Sequence, residues 1–225
     1  MPAMPQRPKA PTGSRRPYHH GDLRRALLKA ATDIVRTRGL PELSLRAVAR
    51  KARVSHAAPY HHFPDRTALV AAVAEQGFIG LKRSMDAQLK GRGDAKEKLE
   101  ASGVGYVLFA VRNPTHFRVM FSAEFEDKSR FPELGGAAKA AHGVLTRLAA
   151  ECQAAGLVRA GDPNLISLAM WAIVHGLAIL LIDRQFGFDD FAAGAIRKLT
   201  ADVKHFLWVG LAPDRVARPS PASRP

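Results

Sequence analysis

Three histidines fall within seven positions of the stretch RVSHAAPYHHF, residues 53–63: His56, His61 and His62. Imidazoles this close together could ligate a metal, move protons, or offer hydrogen bonds to a partner. The spacing argues against a metal. On an α-helix His56 and His61 would lie about 140° apart around the axis, and His61 and His62 about 100°. No pair has the four-residue spacing that aligns two ligands on one face, and no cysteine is nearby. No metal site is expected. A second pair, His19-His20, reads as the approach to a first helix. Trp171 and His175 are four residues apart, so they share a helix face. An imidazole buried there needs a partner, either a backbone carbonyl or Tyr106. The acidic residues Glu124, Glu126 and Asp127 read as a solvated loop, and His116, just after Pro114, as exposed.

Catalytic arrangements are missing from the sequence. No GxSxG, HExxH, CxxC or phosphate-loop pattern occurs, so no catalytic residue and no cofactor is expected. Charge is more informative. The chain of 225 residues carries a net charge of +14, unevenly spread. Residues 1–66 hold 14 Lys/Arg against 4 Asp/Glu, and residues 67–225 hold 20 against 16. A basic first third on a near-balanced remainder suggests a polyanion-binding module joined to something else.

The single cysteine, Cys152, rules out an intrachain disulfide and fits a reducing compartment. The first thirty residues show no apolar run of the kind a secretory signal needs. The longest apolar stretch, 165–182, is interrupted by Ser167, His175 and Gly176 and reads as a buried helix, so no membrane span is expected and a cytoplasmic protein is.

The elements that must position these residues are helices. Residues 1–17 are Pro-rich, basic and aperiodic, which predicts a disordered arm, and residues 212–225 predict a similar tail. Between them Leu23, Leu27, Ala30, Ala31 and Ile34 follow the helical period up to Gly39. Ser44 can cap a short helix over 44–52, followed by a second over 55–63. Asp65 caps the next, and further helices are expected at about 95–112, 114–124, 134–155, 163–186 and 189–209, with Asn113-Pro114 and Asp162-Pro163 as start signals. The fold class is all-α with about nine helices.

Two short helices in the most basic part of the chain predict a helix-turn-helix, with the second in the major groove of double-stranded DNA. Ser44 and the free N–H groups beside it suit a phosphate. Tyr60 and Arg66 also suit phosphate, and Arg46 is long enough for a guanine edge.

At this point the sequence resembles the TetR (tetracycline-repressor-like) family of transcriptional regulators. The resemblance lies in LLKAATDIVRTRGLPELSLRAVARKARVS and PYHHFPDRTALVAAV, and in the tract Val-Ser-x-x-x-x-Tyr-x-His-Phe followed by Pro64-Asp65-Arg66. WAIVHG, 171–176, resembles the Trp-x-x-x-His-Gly motif of one C-terminal subgroup, and FRVMFSAEFED, starting at Phe117, is similar to a helix such proteins carry. The resemblance implies a three-helix helix-turn-helix DNA-binding domain over 18–64, a helical ligand-binding and dimerisation domain over 65–211, and a homodimeric repressor released from a palindromic operator by an effector. It puts phosphate contacts at Ser44, Tyr60, His62 and Arg66, and base contacts at Arg46, His56, Ala57, Ala58 and His61, with Ser55 heading that tract. Two residues depart from the pattern. Arg53 stands where the family usually has Gly, and Pro59 where an aliphatic residue is usual, which biases the recognition helix to a late start.

Phe109, Phe117, Met120, Phe121, Trp171 and His175 are the candidate lining of a pocket for a small apolar or amphipathic effector. Their other reading is plain core. The helices at 163–186 and 189–209 are the expected dimer face. The competing reading of the whole chain is an architectural DNA-binding protein without a ligand.

Overall fold

The computed structural model of the chain describes residues 20–125 and 130–211. The arm and the tail, together with Tyr18, His19, Glu126 and Asp127, lie outside the described residues. The described residues form eight α-helices joined by short loops and 3-10 turns, and contain no strand. In chain order they are α1 (His20–Arg38), α2 (Leu45–Ala52), α3 (Arg66–Leu89), α4 (Ala95–Arg112), α5 (Pro114–Met120), α6 (Pro132–Ala154), α7 (Pro163–Ile182) and α8 (Ala193–Leu211).

Four helices begin where a short polar side chain can take up one of the orphaned N–H groups of a first turn. Ser44 accepts from Ala47 N at 3.1 Å, Asp65 from Ala68 N at 2.7 Å, Asp94 from Glu97 N at 2.7 Å, and Asp162 from Asn164 N at 2.9 Å. The apolar faces then dictate the packing. Leu27, Ala31 and Ile34 of α1 meet Leu45 and Val48 of α2, with Phe63 closing this end of the core. The first half of α3 adds Leu69, Val70 and Val73 to it. The second half of α3 runs on among α4, α5 and α6, while α4 is also packed by α7 and α8. One helix therefore runs through a single core that spans both parts of the chain. Its contact with α4 is at backbone distance: a Cβ on Gly105 would sit 2.6 Å from the Ser84 carbonyl oxygen. Ser84 Oγ donates to the Gly105 carbonyl at 2.8 Å.

Three expectations need correction. The segment 55–63 is not an α-helix but a single 3-10 turn, Ala58–His61, which is why eight helices form and not nine. Pro59 has no N–H to give to the Ser55 carbonyl, so the chain closes with i+3 bonds: Ala58 N to Ser55 O and Tyr60 N to Ala57 O, both 3.1 Å. The helix expected over 114–124 stops at Met120, because Ser122 Oγ draws in the Glu124 N–H at 3.2 Å and turns the chain into a separate 3-10 turn. The helix expected to 186 stops at Ile182, where Arg184 turns left-handed at φ 52°.

Arg53 adopts φ 57°, ψ 43°, the left-handed conformation that glycine takes without a Cβ penalty. The sequence pattern that placed a non-glycine residue here thus stores backbone strain at the end of α2. Arg53→Gly is expected to stabilise the fold by about 0.5–1 kcal/mol, read as a raised urea midpoint. An unchanged or lowered midpoint would show that the arginine side chain compensates for its backbone.

Candidate functional site

The residues expected to touch DNA divide into two groups in the structure. Ser44, Arg46, Ser55, His56, Ala57 and His61 are exposed, and Tyr60 is an exposed aromatic at 52%. They lie at the start of α2 and along the loop and turn that follow it. Arg50, Lys51 and Arg53, which the sequence reading did not single out, are exposed on the last turn of α2 and beside it. Ala58 is half-buried, and Pro59 is buried beneath the turn.

His62 and Arg66 face elsewhere. The His62 ring is half-buried against Phe63, with centroids 6.4 Å apart. It lines a cleft of about 730 Å³ shared with Arg24, Lys29, Asp33 and His116. The Arg66 guanidinium is spent inside the chain. Nε donates to the Leu43 carbonyl at 3.0 Å and Nη2 to the Leu40 carbonyl at 3.2 Å, both in the connection between α1 and α2. Nη1 pairs with Glu124 at 3.3 Å, in the turn after α5. Glu124, expected in a solvated loop, is thus half of an ion pair across the fold. His116 is also not exposed as expected: its Nε2 lies 2.6 Å from the Val73 carbonyl of α3, and burial pulls its pKa below the usual imidazole range.

A cavity of about 340 Å³ opens between α3, α4, α6 and α7. Its size lies at the small end of ligand pockets, about 300–1,000 Å³. Of the six residues named from sequence, Phe121 and Trp171 line it. Phe117 and Met120 are wholly buried core. Phe109 packs on α3 at Gly80, where a Cβ would come within 2.9 Å of its ring. His175 lies behind the wall. The lining residues the sequence reading missed are Phe78, Leu81 and Met85 on α3, Tyr106 on α4, Ala138, Lys139, Ala141, His142 and Leu145 on α6, and Leu168 on α7. The 78–81–85 stripe shows in the helical period, but that period marks core and cavity walls alike.

A hydrogen-bonded network is built into the cavity wall, with Trp171 and Tyr106 lining the cavity and His175 behind them. Trp171 Nε1 donates to the Tyr106 oxygen at 2.9 Å, and that hydroxyl lies 2.8 Å from His175 Nδ1. The phenol oxygen accepts from the indole, and either the hydroxyl donates to a bare Nδ1 or an Nδ1–H donates to that oxygen; a neutral ring fits both directions. Burial acts the same way: it lowers the His175 pKa and raises that of Tyr106, the latter opposed by the Trp171 hydrogen bond. The rings of Phe121 and Phe117 pack on His175 at 4.6 and 5.4 Å between centroids. The expectation that His175 finds a partner is met, and the partner is Tyr106.

The outer face of α7 is apolar, and α8 adds exposed Phe206 and Val209 beside the charged Arg197, Lys198 and Asp202. α7 is long and apolar enough to cross a membrane, with a mean hydropathy of 2.4, yet it packs on α4, α6 and α8. Only 33% of that window is buried within the chain, so the chain itself covers one side of the buried helix read from the sequence. Leu180, Leu165, Phe206 and Val209 are exposed, and a groove of about 580 Å³ between the two helices is lined by Ile173, Leu177, Phe188 and Val203.

Comparison with known proteins agrees with this layout. Residues 27–73 match the family model described as bacterial regulatory proteins, tetR family, and residues 99–203 match the tetracyclin repressor-like C-terminal domain. A solved structure of a protein with unknown function from Rhodococcus sp. RHA1 is 33% identical, with a TM-score of 0.76, covering 88% of this chain and 99% of that one. A regulatory protein of the tetR family from Rhodococcus RHA1 is 18% identical, with a TM-score of 0.64 and coverage of 84% and 97%. AibR in complex with isovaleryl coenzyme A and operator DNA is 18% identical, with a TM-score of 0.59 and coverage of 81% and 97%. The curated proteins gave no match.

The buried network generates a paired prediction. Tyr106→Phe leaves the Trp171 N–H without an acceptor and should cost about 1–3 kcal/mol in urea denaturation. His116 and His175 are both held neutral, with folded pKa values below the ordinary value of about 6.5. As pH falls through that value the unfolded chain takes up protons first, so their contribution is present above it and lost below it. The urea midpoint should fall from pH 7.5 to 5.5, and His175→Gln should shrink that fall. Equal midpoints at both pH values would contradict the neutral assignment.

Proposed function

Since the chain belongs to the tetR family of bacterial regulatory proteins, and as such binds DNA and regulates transcription, we propose that it acts as a homodimeric repressor. In this reading it leaves a palindromic operator when a small apolar or amphipathic effector fills the cavity beside Phe121 and Trp171. Residues 18–64 are the DNA-binding domain, and residues 65–211 bind effector and partner. The protein works in the cytoplasm, without a membrane and without catalysis. The Ser167–His142 approach at 3.4 Å supports the last point rather than opposing it: Ser167 is fully buried and its hydroxyl donates to the Asn164 carbonyl at 2.9 Å.

The observation that carries the reading is that one helix serves both ends. α3 supplies Phe78, Leu81 and Met85 to the cavity wall. Its first residue, Arg66, grips the connection that leads into α2. Glu124 holds the same guanidinium from a turn three residues past Phe121, itself a wall residue. A ligand that pushes on that wall therefore bears on the placement of the DNA-binding elements. The shift need only carry a coupling of about 1–3 kcal/mol, set by the effector's differential affinity for the two states. A protein that merely shaped DNA would have no use for such a cavity. AibR, bound to both a coenzyme A thioester and operator DNA, is a structural parallel.

The DNA face is assigned from exposure and chemistry. Ser44 and Tyr60 take phosphates, and Arg46, His56, Ala57 and His61 face base edges, with Ser55 at the head of the turn. We withdraw Arg66 from the phosphate set, since its donors are used internally, and place His62 in the cleft beside α1. The Trp-x-x-x-His-Gly tract suits membership of that C-terminal subgroup, because its Trp and His are the two groups that meet on Tyr106. The apolar face of α7, with Phe206 and Val209 of α8, is the proposed dimer surface: a four-helix bundle with the partner's copies would cover it.

The test is binding to the DNA upstream of its own gene across a salt series. Log K should fall linearly with log salt, by about 0.9 per phosphate neutralised. Arg46→Ala should cost about 1–3 kcal/mol and relax preference at one position. His61→Ala should likewise alter sequence preference. A flat salt plot would defeat the DNA-contact assignment, and uniform weakening on every sequence would move His61 to the backbone.

A further inference from the structure

The cavity also shows which chemical class of effector it would take. Most of its lining is apolar, with Phe78, Leu81, Met85, Phe121, Leu145 and Trp171 around Tyr106. The polar atoms among these are committed, because the Trp171 N–H is given to Tyr106 and the Tyr106 hydroxyl is bonded to His175. A polar group pushed to the bottom would lose its water and gain nothing in return. The inner end therefore favours hydrocarbon.

The other ionisable lining groups share one helix. Lys139 and His142 are three residues apart on α6, hence on one face, and both line the cavity. Lys139 is exposed, so it marks the mouth. His142 is half-buried, its ring edge-on to Trp171 with centroids 5.7 Å apart, and Nε2 is 3.4 Å from Ser167 Oγ. Among the described residues, no aspartate or glutamate lines the cavity. A cationic ligand would meet a lysine and no counter-charge, whereas an anionic head would meet a strong donor where it can also stay partly hydrated.

Resting on the effector reading above, we infer that the cavity takes an amphipath with a short hydrocarbon body and an anionic head, the body against Phe121 and Trp171 and the head at Lys139. At about 340 Å³ the space holds the body but not a nucleotide as well. A free carboxylate would end at the mouth, and an acyl thioester of coenzyme A would keep its nucleotide outside. Both sources present an acyl chain with negative charge at the same place.

Calorimetry on the full chain at pH 7 with octanoate, octanol, octylamine and octanoyl-coenzyme A tests this. Octanoate or its thioester should bind at least about five- to tenfold tighter than octanol, and octylamine weakest of all. Lys139→Gln, a change at the surface, should erase the advantage of the anion while leaving octanol affinity unchanged, and Lys139→Arg should restore most of it. Whichever anionic probe binds more tightly identifies the source. Octanol equal to octanoate, octylamine tighter than both, or a Lys139→Gln loss shared equally by octanol would overturn the charge assignment while leaving the cavity as an effector site. No heat with any of the four would overturn this inference. Operator release, measured separately with whichever probe binds, decides whether the occupied cavity regulates DNA binding.

Discussion

Much of this structure depends on how the Arg66 guanidinium is held. Two of its nitrogens are fixed on the carbonyls of Leu40 and Leu43, and a third on Glu124. A planar fork with several donors can make these contacts in different directions at once; a lysine ammonium offers no such preset geometry. The ion pair itself contributes little, because both side chains are more than a third exposed and solvent screens them. The carbonyl bonds matter more, at about 1.5–3 kcal/mol for hydrogen bonds to a charged group. Their effect is positional. They tie the connection before α2 to the first residue of α3, so the N-terminal part of the core cannot turn freely against the helix that walls the cavity.

The cavity depends on a different device. A hollow among helices collapses unless its lining is held at fixed spacing. Tyr106 on α4 does this for α7 by accepting from Trp171 and facing His175, with the rings of Phe117 on α5 and Phe121 just after it packed edge-on against them. Burial keeps the phenol and the imidazole uncharged, so the network avoids the cost of an unpaired buried ion. Close helix contact completes the frame, since Gly105 lets α4 lie against the backbone of α3.

The architecture was legible in the sequence because caps and apolar periods are local. Ser44, Asp65 and Asp162 each cap the helix they were expected to start. The family was legible for the same reason, in a contiguous tract around Tyr60. Pro59 signalled a late recognition helix, but not that the missing N–H would leave only a 3-10 turn. The cavity was half hidden. Aromatic residues at helical spacing say which face turns inward, not whether core or hollow lies beyond it, so Phe117 and Met120 looked like Phe121. The α6 side, with Ala138 and Lys139, carries no mark at all. The internal partners of Arg66 were not legible because they lie 23, 26 and 58 positions away in the chain, and no local pattern records them.

The central claim is that filling the cavity moves the DNA-binding elements through α3. The most direct test is the distance between nitroxide labels on Ala57→Cys in the two subunits. Cys152 is fully buried with its thiol pushed up to about 11, so the introduced cysteine takes the label. The unfilled protein should show a separation that suits successive major grooves, about 34 Å or a multiple. Filling the cavity from within by Ala138→Trp should shift that distribution by several ångströms and weaken operator binding in step. Superimposable distributions with weakened binding would contradict the account, as would a single label per particle with no partner in range.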